Sequence, residues 1–269
     1  MTDYSGQAAA AQAALEQAAE EYFGIKADPG DIEKLQTYLL KTYGALTSQN
    51  IKKVFSSGEA AGFLTVNETY FFREPVHFSF LRSFLPDFAQ SGIRICCAAV
   101  ATGCEAYSIA MLIEAYNKCA QSPVSYHIDA FDINPLVIET ASLGIFSGRP
   151  LREDGSCFHY MADPYIKKLQ NGYKTEYQVD VSLKKNINFF VHNLMNELPC
   201  KDYDFIFFRN AFIYFTQQNK ERLFSNLSLA LKNGGILIMG VCETAGASPS
   251  GLEHKNTGDV FYFQKPGNL

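Results

Sequence analysis

From Gly92 onward, short apolar runs alternate with helical stretches, and this alternation restricts the fold more than any other feature of the chain. Ile93 to Val100 reads as a buried strand and Glu105 to Tyr116 as a helix. Tyr126 to Phe131 and Pro135 to Leu143 repeat the pair. Ile187 to Val191 and Phe205 to Phe208 are further strands, Asn219 to Leu231 is a helix, and Ile236 to Gly240 is a strand entered through Gly234 and Gly235. Runs that are apolar throughout suit strands covered on both faces, and helices between them make the strands parallel. The predicted class is α/β. The last strand, Val260 to Gln264, follows a loop of Ser, Pro, Gly and Asn (Ser248 to Gly258), so a hairpin should add one antiparallel strand at the sheet edge.

The first 62 residues read differently. Gln7 to Glu21 is rich in Ala, Gln and Glu and favours helix, with Gly24 placed to end it. A second helix is expected near Asp31, after Pro29-Gly30, with Leu35, Leu39 and Leu40 on its apolar face. A third covers Ser48 to Phe55. Residues 63–91 are a linker by position, yet Tyr70, Phe71 and Phe72 stand in a row and require burial. Gly148 to Lys185 interrupts the alternation and reads as an inserted small β element; a long structured loop is the other reading.

Composition removes several classes of function. Of 269 residues, 47% are hydrophobic and 19% charged, enough for an ordinary core. The net charge of −5 lacks the basic footprint that a phosphate backbone needs, so no nucleic-acid partner is expected. Met1-Thr2-Asp3-Tyr4-Ser5 does not read as a signal peptide, and no apolar run reaches the ~20 residues of a membrane span, so no membrane insertion is expected. The seven cysteines, Cys157 among them, include no CxxC pair, and the five histidines have no metal-ligand spacing. Reduced thiols, a cytoplasmic location and no metal are the resulting expectations.

In an open parallel sheet, ligands bind beyond the carboxyl ends of the strands. After the first strand stands Ala101-Thr102-Gly103-Cys104-Glu105, a small-residue turn with a single glycine. It lets a ligand approach the backbone, but lacks the glycines that a dinucleotide pyrophosphate demands. After the second strand, Asp132 precedes Ile133-Asn134-Pro135 and suits a pair of ribose hydroxyls; helix capping is its other reading. His192-Asn193-Leu194 follows the third strand and Arg209-Asn210-Ala211-Phe212-Ile213-Tyr214-Phe215 the fourth. The Asn193 amide can serve an adenine edge, whereas either asparagine alone is equally a turn former.

Together with Asn67-Glu68-Thr69-Tyr70-Phe71-Phe72-Arg73, and with Gly234-Gly235, Gly240 and Glu243 near the C-terminus, these strings closely resemble the CheR-type chemotaxis receptor methyltransferases from about Phe63 onward. The resemblance implies a Rossmann-like S-adenosylmethionine-dependent methyltransferase domain (92–269) with an inserted antiparallel β subdomain (148–185), a small N-terminal helical domain (1–62), and a linker and cofactor-capping segment between them (63–91). It implies S-adenosylmethionine as cofactor, S-adenosylhomocysteine as product, and a protein substrate bearing glutamates on helices, such as a chemoreceptor cytoplasmic domain. By motif position it implies cofactor contacts from Asn67, Thr69, Arg73, Ala101, Gly103, Glu105, Asp132, Ile133, Asn193, Leu194, Asn210 and Ala211, with Arg73 and Tyr214 at the reacting centre. Arg73 has a surface ion pair with Glu68 or Glu74 as its other reading, and Tyr214 a place in the core.

Two departures from the family pattern stand out. Cys104 and Ala106 replace an acid and a proline of the usual turn. Residues 1–62 hold five lysines and no arginine against eight acids, a net charge of −3, where the resemblance implies a basic surface. A non-catalytic S-adenosylmethionine-binding regulator and a methyltransferase for a small carboxylate are the alternative readings.

Overall fold

The computed structural model describes residues 4–147, 150–152, 158–243 and 251–267. Three helices open the chain: α1 (Tyr4–Phe23), α2 (Pro29–Tyr43) and α3 (Ser48–Ser56). Asp28 caps α2 by accepting from the Gly30 N–H at 2.8 Å. Ile32, Leu35 and Leu39 form its buried stripe, whereas Leu40 is 45% exposed, one position outside the inward arc. These helices share a core that includes Leu15, Phe23, Leu35 and Phe55 and that extends to Ile133, Tyr214 and Phe215 farther along the chain.

The connecting segment is more structured than a linker. After the short α4 (Ala61–Leu64) an extended strap runs to Glu74, and α5 (Pro75–Phe84) then lies against the sheet. Pro75 supplies the fixed φ of a first helical turn, a start signal that the reading of 63–91 passed over. Within the strap Phe71 and Phe72 are buried and Tyr70 half-buried. Burying each phenylalanine stabilises the fold by roughly 1.5–3 kcal/mol.

The sheet-bearing part of the chain is built on β1 (Ile93–Ala98), α6 (Cys104–Asn117), β2 (Tyr126–Asp132) and α7 (Pro135–Leu143). The insert follows as β3 (Ile145–Ser147), α8 (His159–Ala162), β4 (Ile166–Asn171), β5 (Lys174–Val179) and α9 (Val181–Lys184). The chain then returns through β6 (Ile187–Val191), β7 (Tyr203–Phe208), α10 (Gln217–Ala230), β8 (Leu231–Met239), β9 (Glu253–Asn256) and β10 (Phe261–Gln264). The main sheet has the order β6-β2-β1-β7-β8-β10-β9, parallel from β6 to β8.

Two antiparallel strands, rather than one, close the edge. β10 pairs with β8, and β9, inside the segment read as a loop, pairs with β10. β9 is Glu-His-Lys-Asn, too polar for hydrophobic patterning to mark, and main-chain pairing holds it. Of the segment read as that loop, 248–250 lies outside the described residues. The insert is a three-stranded antiparallel sheet, order β3-β5-β4, which begins at Ile145, before Gly148. Within the insert, 148–149 and 153–157, with Cys157, lie outside the described residues. No described helix is long and apolar enough to cross a membrane, and no described His, Cys, Asp and Glu cluster is placed to hold a metal ion.

Candidate active site

Over the carboxyl ends of β1, β2, β6 and β7 lies an open cavity lined by residues from the loops that follow all four strands. The turn after β1 forms its floor. Ala99 (φ 57°) and Ala101 (φ 50°) are left-handed, a strained conformation for residues with a Cβ, and both face the cavity. Gly103 does not line it. Gly103 has φ +87°, and a Cβ there would stand 2.9 Å from Ala141 Cβ and 3.1 Å from the Phe189 ring. Its glycine serves the packing of α6 onto α7 and β6.

Asp132 ends β2 in the cavity wall, 7% exposed. Its Oδ2 accepts from the Ala101 N–H at 2.9 Å and its Oδ1 from the Asn134 N–H at 3.0 Å. Burial pushes its pKa up, against the pull of these main-chain donors. Two of the carboxylate's lone pairs thus hold the loop, and the residue lines the cavity. Ile133 lines the same wall.

Asn193 and Leu194 also line the cavity, but the Asn193 side chain is already engaged. Its Nδ2 donates to the Tyr22 carbonyl at 2.5 Å and its Oδ1 accepts from the Met195 N–H at 2.9 Å. The amide expected at an adenine edge thus ties the helical domain to the β6–β7 loop. Phe23 and Ile25 of the helical domain complete this wall, and Ile25 bridges to Phe215 in antiparallel fashion. Nothing in the local sequence marks them, since they lie far along the chain from the loops they cover.

The strap closes the cavity from above with Asn67, Thr69, Tyr70 and Arg73. Phe71 is pinned by its N–H donating to the Pro150 carbonyl at 2.9 Å, and Phe72 by its N–H donating to Ser108 Oγ at 2.9 Å. Phe72 stacks on Phe158 of the insert at 5.7 Å. Glu68 pairs with Arg152, whose guanidinium lies 4.2 Å from the Tyr70 ring centre. Arg73 makes neither of the ion pairs set against its functional reading. It donates to the Glu68 carbonyl at 2.9 Å and remains half-buried at the cavity.

Sequence reasoning also missed Arg209. It directly follows β7, every residue of which is buried, and its side chain is 2% exposed. Nη1 donates to Glu105 at 2.8 Å; Nη2 donates to the Arg73 carbonyl at 2.5 Å and to Glu74 at 3.1 Å. A cation ending a buried strand was the available signal, because such a charge needs partners. Burial works against the Glu74 carboxylate, but Arg209 and the Asn210 amide outweigh it and hold its pKa below the ordinary value. Glu105, at the start of α6, is pushed up by burial with Arg209 opposing. Asn210 donates from Nδ2 to Glu74 at 3.0 Å. Asn210, Ala211 and Tyr214 all reach the cavity, and no described residue hydrogen-bonds the Tyr214 hydroxyl.

A parallel sheet with a small-residue turn after its first strand, a buried acid after its second and a capping strap defines a Rossmann-like S-adenosylmethionine-dependent methyltransferase domain. Residues 67–259 match the family described as CheR methyltransferase, SAM binding domain, and the chain belongs to that family. It is 34% identical over 191 residues to a chemotaxis protein methyltransferase of Borreliella burgdorferi, covering 67% of this chain and 65% of that one. To the protein of the same name in Listeria monocytogenes it is 27% identical over 206 residues, 75% of this chain and 74% of that one. To that of Vibrio parahaemolyticus it is 30% identical over 192 residues, 67% of this chain and 66% of that one. The chain thus spans about two thirds of the length of two of these relatives.

The cavity suits the cofactor in its donor set. Its lining includes a buried acid at Asp132, small left-handed residues at Ala99 and Ala101, and charged groups of both signs at Arg73 and Glu105, the kinds of group that such a cofactor takes.

Proposed function

We propose that this chain methylates glutamate side chains of a protein partner in the cytoplasm, a chemotaxis receptor or a related signalling protein. The observation that carries this reading is the placement of Arg73 and Tyr214 on the walls of the cavity that also holds Asp132. S-adenosylmethionine, when bound, supplies an electrophilic methyl group. A glutamate carboxylate is ionised at neutral pH and needs no general base. The work left to the protein is to fix geometry and exclude water, which is worth about 7–11 kcal/mol of barrier. Asp132 and Glu105 hold the far parts of the cofactor. Phe23, Ile25 and the strap shield the cavity from solvent. Arg73 orients the incoming carboxylate with its planar fork, and the Tyr214 hydroxyl lines its path.

The net −3 of residues 1–62 favours a partner other than a strongly acidic helical bundle, and it keeps a small carboxylate acceptor as the second reading. Transfer of tritium from labelled cofactor into base-labile ester on helical proteins tests the proposal. Arg73→Ala is expected to abolish transfer while leaving S-adenosylhomocysteine affinity within about tenfold, or roughly 1.4 kcal/mol. Loss of both together would assign Arg73 to binding instead. Cofactor binding by the native chain without transfer to any acceptor would favour a regulator.

A further inference from the structure

The loop after β7 carries Asn210, Ala211 and Tyr214 into the cavity. Asn210 has φ 59°, in the left-handed region that asparagine tolerates better than most residues with a Cβ. The N–H groups of Asn210 and Phe212 point toward one side chain, the carboxylate of Glu243 just beyond β8. Glu243 Oε2 accepts from the Asn210 N–H at 2.6 Å and from the Gly240 N–H at 3.0 Å. Oε1 accepts from the Phe212 N–H at 2.8 Å. The side chain is 5% exposed and holds main-chain groups from two separate loops. Gly240 leaves the room this requires: a Cβ there would stand 2.7 Å from Glu243 Oε2 and 2.8 Å from Asn210 Nδ2.

A buried N–H must find an acceptor, and a short loop with left-handed backbone offers few of its own. One charged acceptor shared by three donors selects a single loop geometry out of several. We infer that Glu243 is a positioning residue for methyl transfer: its carboxylate templates the loop after β7 and so sets where Asn210 and Tyr214 stand in the cavity. The inference rests on the proposed reaction for its kinetic consequence only; the template itself is a property of the fold.

Two variants of the full chain test it. Glu243→Gln keeps the shape but replaces one acceptor oxygen with an amide NH2, which cannot receive an N–H. Gly240→Ala keeps the carboxylate and displaces it. In both, amide hydrogen exchange at Asn210 and Phe212 is expected to quicken at least about tenfold, with Phe205 to Phe208 of β7 unchanged. The single-turnover rate at saturating S-adenosylmethionine is expected to fall by about 100-fold, the usual effect of a misplaced site, while S-adenosylhomocysteine affinity measured by calorimetry weakens less than about tenfold. Equal quickening across β7 would reduce Glu243 to a general stabiliser and overturn the inference, as would unchanged exchange at Asn210 and Phe212 or an unchanged rate. If the native chain transfers methyl to no acceptor, the proposed reaction fails by itself, and the exchange measurement still decides the role of Glu243.

Discussion

Arg209 shows how one side chain ties the site to the stability of the fold. It faces two carboxylates and a main-chain carbonyl in a nearly dry place, and each of those groups depends on it. Removing one partner of a buried ion pair leaves the others uncompensated, so Arg209→Met should cost about 3–5 kcal/mol in denaturant unfolding. Arg209→Lys should restore little, because a single ammonium lacks the fork that spans Glu105, Glu74 and the Arg73 carbonyl. Its neighbour His77 gives a pH signature. Burial and the Arg209 charge hold its pKa down at about 3, from an ordinary 6.5, and its Nδ1 sits 3.3 Å from Glu74. The unfolded chain therefore binds a proton below about 6.5 that the folded chain refuses until about 3. Stability should fall on acidification through that window, by up to about 1.4 kcal/mol per pH unit, and His77→Gln should flatten the slope in urea titrations at pH 5 and 7.

Among the elements, the turn between β1 and α6 separates two uses of small residues. Ala99 and Ala101 face the cavity, whereas Gly103 faces the interior. Gly103→Ala would meet both a left-handed backbone and contacts of 2.9–3.1 Å, so it should lower stability by roughly 2–3 kcal/mol. At temperatures where the variant stays folded, its S-adenosylhomocysteine affinity should lie within about threefold of the native value. A large affinity loss in a fully folded variant would put Gly103 back at the cofactor. The strap is a second element with divided labour. Phe71 and Phe72 bury themselves beside α6 and the insert, and this leaves Thr69 and Arg73 facing the cavity. The row of aromatics announced burial, but only the assembled insert reveals what buries them.

At the scale of the molecule, the helical domain is part of the cavity. Gly24 presses on Met195, and Gly58 on the Ile133 carbonyl, where added Cβ atoms would stand at 2.4 and 2.7 Å. The Thr216 N–H donates to the Gly24 carbonyl and the Lys26 N–H to the Tyr214 carbonyl. The N-terminal helices therefore meet the sheet-bearing part through the loops that carry Ile133, Asn193 and Tyr214. Gly24→Val, strained at φ +74° and crowded against Met195, should loosen this joint. The expected result is a weakening of S-adenosylhomocysteine binding by about tenfold or more, measured by calorimetry, although the residue itself does not line the cavity. Unchanged affinity would mean that the helical domain covers the cavity without shaping it.

Much of this architecture is local and could be read in one dimension. Apolar runs of strand length between helical stretches determine a parallel sheet, and the direction of its strands gathers Ala101, Asp132, Asn193 and Asn210 at one end, whatever the packing details. The strings around Arg73 and Tyr214 were equally legible, since each is contiguous. Tertiary structure alone decided how these groups are spent. Asn193 gives its amide to Tyr22, Arg209 holds Glu74 and Glu105, Glu243 holds the loop of Asn210, and a polar strand pairs at the sheet edge. These choices join residues far apart in the chain. A hydrogen bond or ion pair is settled by which donors and acceptors are left without water once the core has closed, and no periodicity in the sequence records that.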